Sequence, residues 1–240
     1  MHDQLDLKNA SGAEKRRIAE LLQALRCEKE VWTNPESSLL KNAVFLEEFT
    51  SRLLCQHVFM GNPLMQNSFD SAFTTSAEAA GFLTEPAPSG QRFWDLKLNG
   101  KQISLKTTQA KDLRTETLHI SKLTEAAWIQ DCRTSNARME HTKALFQEYQ
   151  SKVQAIFQFR YFRKTNLYEL VEIPTDLFQH VQGLSRSQFS ADGPSINIPI
   201  GQEPPDFTLK LDRSDAKVTL ANILKSRCVL HGTWKIGTQK

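Results

Sequence analysis

The chain has 240 residues, 40% hydrophobic and 24% charged, with a formal net charge of +3. This is an ordinary globular composition, long enough for one large domain or two small ones. It excludes a helical membrane span, because no apolar run approaches the roughly 20 residues a bilayer requires, and it permits a nucleic-acid partner without demanding one.

The start, Met1-His2-Asp3-Gln4-Leu5-Asp6, has no basic head followed by an apolar core. A secretory leader is therefore not expected, and the cytoplasm is the expected location. Cys27, Cys55, Cys132 and Cys228 make no CxxC pair, which argues against a zinc site or a disulfide framework.

In chain order, the spacing of Ile18, Leu21, Leu22 and Leu25 predicts a helix over residues 11–29. Its Lys15-Arg16-Arg17 reads as a solvated face or as a contact to a phosphate backbone. Asn34-Pro35-Glu36-Ser37 breaks the pattern, and a second helix is predicted over 38–57, with Phe45, Phe49 and Leu53 inward. After the break at Gly61-Asn62-Pro63, a third helix spans 64–80 and stops at Gly81. Phe69, Ala72 and Phe73 form its apolar stripe. Asp70 sits at the stripe's edge, as a capping or solvated carboxylate or as a metal ligand for a site nearby.

The loop 85–91 then leads into Trp94-Asp95-Leu96-Lys97-Leu98-Asn99-Gly100-Lys101-Gln102-Ile103-Ser104-Leu105-Lys106. Two alternating runs around Asn-Gly are a strong hairpin signal. A two-residue turn pairs Leu98 with Lys101 and sets Asp95 opposite Ser104. Lys106 falls diagonal to Asp95 on the same face, within roughly 7–8 Å. Trp94, Leu96, Leu98, Ile103 and Leu105 share the other face, a core face by its period of two. A carboxylate and an ammonium on one rigid face suit metal-assisted phosphodiester hydrolysis, with Asp95 holding a divalent cation and Lys106 stabilising charge on the phosphorane. The plainer reading is a polar face turned to water.

Beyond it, Thr117-Leu118-His119-Ile120 reads as a strand, with Ser121 capping a short helix through Trp128. A helix over 137–153 follows, then strands over 155–163 and 167–173, a short helix over 175–181, a long irregular region over 183–205, and strands over 207–211 and 228–236. His119 and His231 lie beside apolar neighbours and read as core histidines satisfied by backbone. No HExxH pair and no GxxxxGK[ST] loop occurs, which disfavours zinc hydrolysis and NTP-driven chemistry. The whole reads as one α/β domain over 1–240, a mixed β-sheet flanked by helices. Residues 1–60 form a helical layer, and 64–236 form the core.

Asp95 followed by Ser104-Leu105-Lys106 resembles the PD-(D/E)xK nuclease core. More specifically, the chain resembles the SmaI-like type II restriction endonucleases. The matching pieces are Phe69-Asp70-Ser71-Ala72-Phe73, the Asp95 hairpin, His119-Ile120-Ser121-Lys122, Arg160-Tyr161-Phe162, Glu172-Ile173-Pro174 and Cys228-Val229-Leu230-His231-Gly232-Thr233-Trp234, in that order. The resemblance implies a bacterial homodimer acting on palindromic double-stranded DNA, with a separately encoded DNA methyltransferase. It implies Mg²⁺, for which Mn²⁺ can substitute, held by Asp70, Asp95 and the Leu105 carbonyl, with Glu85 in reserve for Asp70. Lys106 is then the catalytic lysine.

Ser104 stands where the family pattern often has an acid. A role in holding a metal-bound water is its expected use, and a merely DNA-binding, repair or nicking protein on the same fold is the alternative that the missing acid raises. A GC-rich hexamer such as CCCGGG is the implied target. Lys111, Arg114, Arg186, Gln188 and Asn197 are candidates for base edges, and Lys97, Lys101, Arg160, Arg163 and Lys164 for phosphates.

Overall fold

A computed structural model describes residues 8–190 and 195–237. The N-terminal hexapeptide read for a leader, and 191–194 of the long irregular region, lie outside the described residues. Among those described, no helix is long and apolar enough to cross a membrane.

The chain opens with α1 (Gly12–Leu25), which Ser11 and Glu14 start with a reciprocal capping box. The expected continuation to residue 29 fails, because the chain turns into a strand, β1 (Lys29–Thr33). That strand is almost wholly exposed, so it leaves no alternating pattern to read. The N-terminal layer is therefore not purely helical. The second helix, α2 (Ala43–Leu54), starts later than residue 38, because Asn42 caps it by accepting from the Val44 and Phe45 N–H groups. It runs on into a π-helical turn, Cys55–Phe59. Next come α3 (Gln66–Ala79) and Gly81 at φ +81°, a C-terminal cap that favours glycine.

The remaining strands are β2 (Thr84–Pro86), β3 (Leu96–Leu98), β4 (Lys101–Thr108), β5 (Thr117–Glu125), β6 (Ala155–Phe162), β7 (Leu167–Pro174), β8 (Ser195–Ile200), β9 (Phe207–Asp212), β10 (Lys217–Leu224) and β11 (Val229–Ile236). Between β5 and β6 lie α4 (Trp128–Asp131) and α5 (Ser135–Lys152). Ser121 does not cap a helix. It stays in β5, because pairing with β10 carries that strand on to Glu125. Part of the long irregular region is strand β8, and β10 had no clear signal in the sequence.

A seven-stranded sheet has the order β1-β11-β7-β6-β4-β3-β2, and a four-stranded sheet the order β5-β10-β9-β8. The first is mixed, since β4 and β6 are parallel while its other neighbours are antiparallel. A parallel pair needs a long crossover, and the chain from β5 through α5 supplies it.

Both faces of the large sheet are covered. One face packs Leu96, Ile103, Leu105, Phe157 and Phe159 against α2 and α3. The other packs Ile156, Val171 and Ile173 against α5, the 3₁₀ segment Thr175–Gly183 and the inner face of the small sheet. The small sheet's outer face carries polar side chains, with Lys210 paired across strands to Asn197 and to Thr219.

Phe49 centres the first core. Its ring lies 5.3 Å from those of Phe159 and Trp234, 5.8 Å from Phe45 and 6.2 Å from Phe69. Phe49→Ala is expected to lower the unfolding free energy by about 3–5 kcal/mol, the cost of a large cavity between elements that cannot close in. Urea denaturation reads it, and a loss below about 1 kcal/mol would contradict this packing.

Candidate active site

The hairpin β3–β4 turns at Asn99 and Gly100, with φ of +48° and +80°, as a turn with left-handed central residues requires. The register is the one read from sequence, Leu98 with Lys101 and Leu96 with Ile103. One element departs from the pattern. Phe93 adopts φ +78°, and Trp94 turns to the α5 side of the sheet, away from Leu96, Ile103 and Leu105.

β3 begins only at Leu96, opposite Ile103, but β4 continues to Thr108. Past Ile103 the edge of β4 has no strand beside it, so its backbone groups need other partners. Two side chains supply them. Asp95 Oδ2 accepts from the Leu105 N–H at 2.7 Å and from Ser104 Oγ at 3.0 Å, with Lys106 Nζ at 3.4 Å. Gln66, at the start of α3, accepts from the Thr107 N–H at 3.0 Å and donates to the Leu105 carbonyl at 2.9 Å. Its amide nitrogen also donates to Asp70 Oδ1 at 2.7 Å.

The structure thus brings Asp70, Asp95, the Leu105 carbonyl and Lys106 to one place. Asp70, Asp95 and Lys106 line a cleft of about 570 Å³ together with Gln66, His119 and Gln158, and the Leu105 carbonyl accepts from Gln66 beside them. Burial, and the Asp95 carboxylate beside it, push the Asp70 carboxyl up to about 7, against the relief given by Gln66 and Lys106. Among the described residues no group of three His, Cys, Asp or Glu side chains converges as a metal cluster. The donor set is two carboxylates and one backbone carbonyl, all hard oxygens. These suit Mg²⁺, which takes few protein ligands. Burial and the neighbouring Asp95 both disfavour the charged form of Asp70, and a cation bound between the two acids would relieve that cost.

Ser104 is placed differently from expectation. It is fully buried and its hydroxyl is spent on Asp95, so it fixes the carboxylate's orientation and does not reach a water in the cleft. Behind it sits the buried Tyr149 hydroxyl of α5, which the low-polarity surroundings keep protonated.

Arg160 is also displaced from its expected role. Its side chain is 1% exposed and pairs with Glu169 at 2.8 Å, and Glu169 pairs in turn with Lys225 at 2.7 Å. Its other guanidinium nitrogen donates to the Thr117 carbonyl at 3.1 Å and to that of Arg114. Arg160 therefore anchors the segment between β4 and β5, which carries Lys111 and Arg114, and contacts no external phosphate.

Lys97 is paired with Glu85 at 2.8 Å. Lys101 is exposed at the hairpin tip, five residues and so about 16 Å along the strand from Lys106. Arg163 is exposed, and Lys164 pairs with Asp112 at 3.4 Å. Arg186 is exposed, Gln188 caps Ser185, and Asn197 faces outward on β8. These last three are not among the cleft's lining residues.

His231 is a satisfied core histidine, but side chains satisfy it, Ser37 at 2.7 Å and Glu172 at 2.8 Å. His119 is no core residue. It lines the cleft, and partial burial with Lys210 nearby holds its pKa below the usual histidine value.

Sequence reasoning missed Gln66 and Gln158. Gln66 lies one helical turn before Asp70, a spacing that puts both on one face. Gln158 interrupts a strongly apolar strand. It stands in register with Lys106, donates to the His119 carbonyl at 2.8 Å, and leaves its buried amide oxygen without a partner.

The family model of SmaI, a type II site-specific deoxyribonuclease, matches residues 9–236. The chain belongs to this family. The type II restriction enzyme SmaI of Serratia marcescens is 26% identical over 206 residues, covering 80% of this chain and 80% of that relative. A solved restriction endonuclease in complex with substrate DNA aligns over 80% of both chains, with a TM-score of 0.38 and 12% identity. The resemblance read from the Asp95 hairpin and the collinear pieces around it is thus a true kinship with the type II site-specific deoxyribonucleases.

Two measurements test this geometry. Because the folded-state pKa of Asp70 lies above its ordinary value of 3.8, its stabilising contribution is present below that value and is lost as pH rises through about 7. Asp70→Asn is therefore expected to raise the melting temperature of the cation-free nuclease above pH 7 by about 2–4 °C, roughly 1 kcal/mol at this length. A fall would contradict the repulsion. Arg160→Met strands Glu169 with one partner fewer, and an unfolding free energy lower by about 3 kcal/mol is expected in urea. An unchanged midpoint would mean that the buried pair contributes nothing.

Proposed function

We propose that this chain is a type II restriction endonuclease that cleaves both strands of DNA at a palindromic site. Catalysis depends on Mg²⁺, with Mn²⁺ as a substitute. The observation that carries the reading is the convergence of Asp70, Asp95 and Lys106 in one cleft, with the Leu105 carbonyl bonded to Gln66 beside them. Asp95, Asp70 and the Leu105 carbonyl would hold the cation. The chemistry such a cation would supply there is Lewis-acid polarisation of a phosphate oxygen and a lowered pKa for a bound water.

The chain's own groups do the rest. Ser104 and the Leu105 N–H hold Asp95 in one orientation, so the carboxylate does not reorganise when substrate arrives. Lys106 projects from the same strand as a fixed positive charge. It orients the attacking water and stabilises the negative charge that grows on the phosphorus oxygens.

The reading as a merely binding or nicking protein drew on the neutral Ser104. Its burial behind Asp95 gives that serine a supporting role, and no observation now favours that alternative.

Family membership supports a GC-rich palindromic hexamer such as CCCGGG as the target, a homodimer as the acting form, and a separate methyltransferase as protection. Lys111 and Arg114 follow directly from the catalytic strand and are the first candidates for base edges. Arg186, Gln188 and Asn197 are the second group. Lys97, Lys101, Arg163 and Lys164 remain candidates for backbone phosphates.

The experiment is digestion of phage DNA with Mg²⁺, with the ends sequenced, for the parent, Asp95→Ala and Lys106→Ala. The parent is expected to give ends that share one palindrome. Each variant is expected to cut at least about 10²-fold more slowly. Either variant cutting at the parent's rate overturns the site assignment.

A further inference from the structure

Among the residues that line the cleft, Gln66 is held in the most specific way. All four of its amide's hydrogen-bonding directions are accounted for. Its oxygen accepts from the Thr107 N–H at 3.0 Å and from Thr107 Oγ1 at 3.4 Å. Its nitrogen donates to Asp70 Oδ1 at 2.7 Å and to the Leu105 carbonyl at 2.9 Å. The orientation of the amide is not ambiguous. A backbone N–H only donates and a backbone carbonyl only accepts, so the oxygen must face Thr107 and the nitrogen must face Leu105. The amide acts as a short piece of strand laid against the open edge of β4.

We propose that the Gln66 amide nitrogen is a place-holder for the divalent cation, occupying the point on which Asp70 and the Leu105 carbonyl converge and leaving it when the cation binds. This rests on the reading of those two groups as cation ligands. An NH₂ group between two oxygens does what a weak cation does. It presents partial positive charge to a half-buried carboxylate and to a carbonyl. A magnesium ion at the same oxygens draws them to about 2.0–2.1 Å, inside hydrogen-bond distance. The NH₂ group and the ion cannot share the position. The amide therefore competes with the cation, and the measured affinity for the ion is lowered by the two hydrogen bonds it must break.

The role also explains why α3 begins with an amide at this point. A carboxylate in place of Gln66 would stand as a third negative charge beside Asp70 and Asp95. A purely apolar side chain would leave the Leu105 carbonyl and the Thr107 N–H without partners. The amide satisfies the backbone edge and calms Asp70 without adding charge.

The test uses the full chain and Mg²⁺ alone, without DNA. Calorimetric titration compares the parent with Gln66→Met, which keeps the length of the side chain and removes its donors and acceptor. The variant is expected to bind Mg²⁺ about tenfold more tightly, the effect of two modest hydrogen bonds no longer opposing the ion. Affinity that is unchanged or weaker overturns the proposal.

A second measurement needs no variant. In protein labelled with ¹⁵N-glutamine, the Gln66 side-chain NH₂ signals are expected to be protected from exchange without Mg²⁺ and to lose that protection at saturation. Signals that stay protected at saturation overturn it. Asp70→Asn in the same titration separates the two levels of argument. If it leaves Mg²⁺ affinity intact, the cation site itself is misassigned. If it weakens binding while Gln66→Met tightens nothing, only the place-holder role fails.

Discussion

β4 is longer than the strand that partners it in the hairpin, and much of the site follows from that mismatch. β3 begins only at Leu96, while β4 runs on to Thr108 with its other edge paired to β6. Backbone N–H and C=O groups left at such an edge cost free energy unless something meets them. Asp95 meets the Leu105 N–H, and Gln66 meets the Leu105 carbonyl and the Thr107 N–H. The side chains recruited to finish the sheet are the ones that set out the chemistry. Asp95 is held still because it is part of the ladder, and Asp70 arrives because it sits one helical turn from Gln66.

How much of this was legible in the sequence divides along physical lines. The hairpin register was legible because Asn99-Gly100 fixes the turn, and from it the placement of Asp95 opposite Ser104 and near Lys106 follows. The third helix was legible from the stripe of Phe69, Ala72 and Phe73. Gln66 was not, because an amide in the first turn of a helix has the same signature whether it faces water or a strand edge. Arg160 misled for a related reason. A charged residue in a strand reads as surface unless its buried counter-charge, Glu169, is known to lie across the ladder. β1 and β10 were lost because pairing partners, and not local pattern, make them strands. Ser121 was drawn into β5 by the same kind of tertiary pairing.

The Arg160–Glu169–Lys225 cluster ties the two sheets together near the site. Arg160 and Glu169 stand opposite each other on β6 and β7. The guanidinium reaches the carbonyls of Arg114 and Thr117, and Lys225 comes from the turn after β10. Two cations share one buried carboxylate, and Arg160 Nε has no partner. Such a cluster is weak as a source of stability but strong as a source of register, since a shift of either sheet would leave a charge unpaired in a dry place. It fixes where the segment carrying Lys111 and Arg114 leaves the catalytic strand.

The outer face of the small sheet stands apart from these constraints. Its inward residues, such as Ile198, Leu209 and Leu220, form the core, while Asn197 and Lys210 lie on the opposite side, where the charge of Lys210 acts on His119. A substitution at Asn197 leaves the packed interior and the lining of the cleft untouched, whereas one at Lys210 changes the field at His119 in the cleft. An exposed position such as Asn197 can therefore change at little cost in foldability while the packed frame behind it stays fixed.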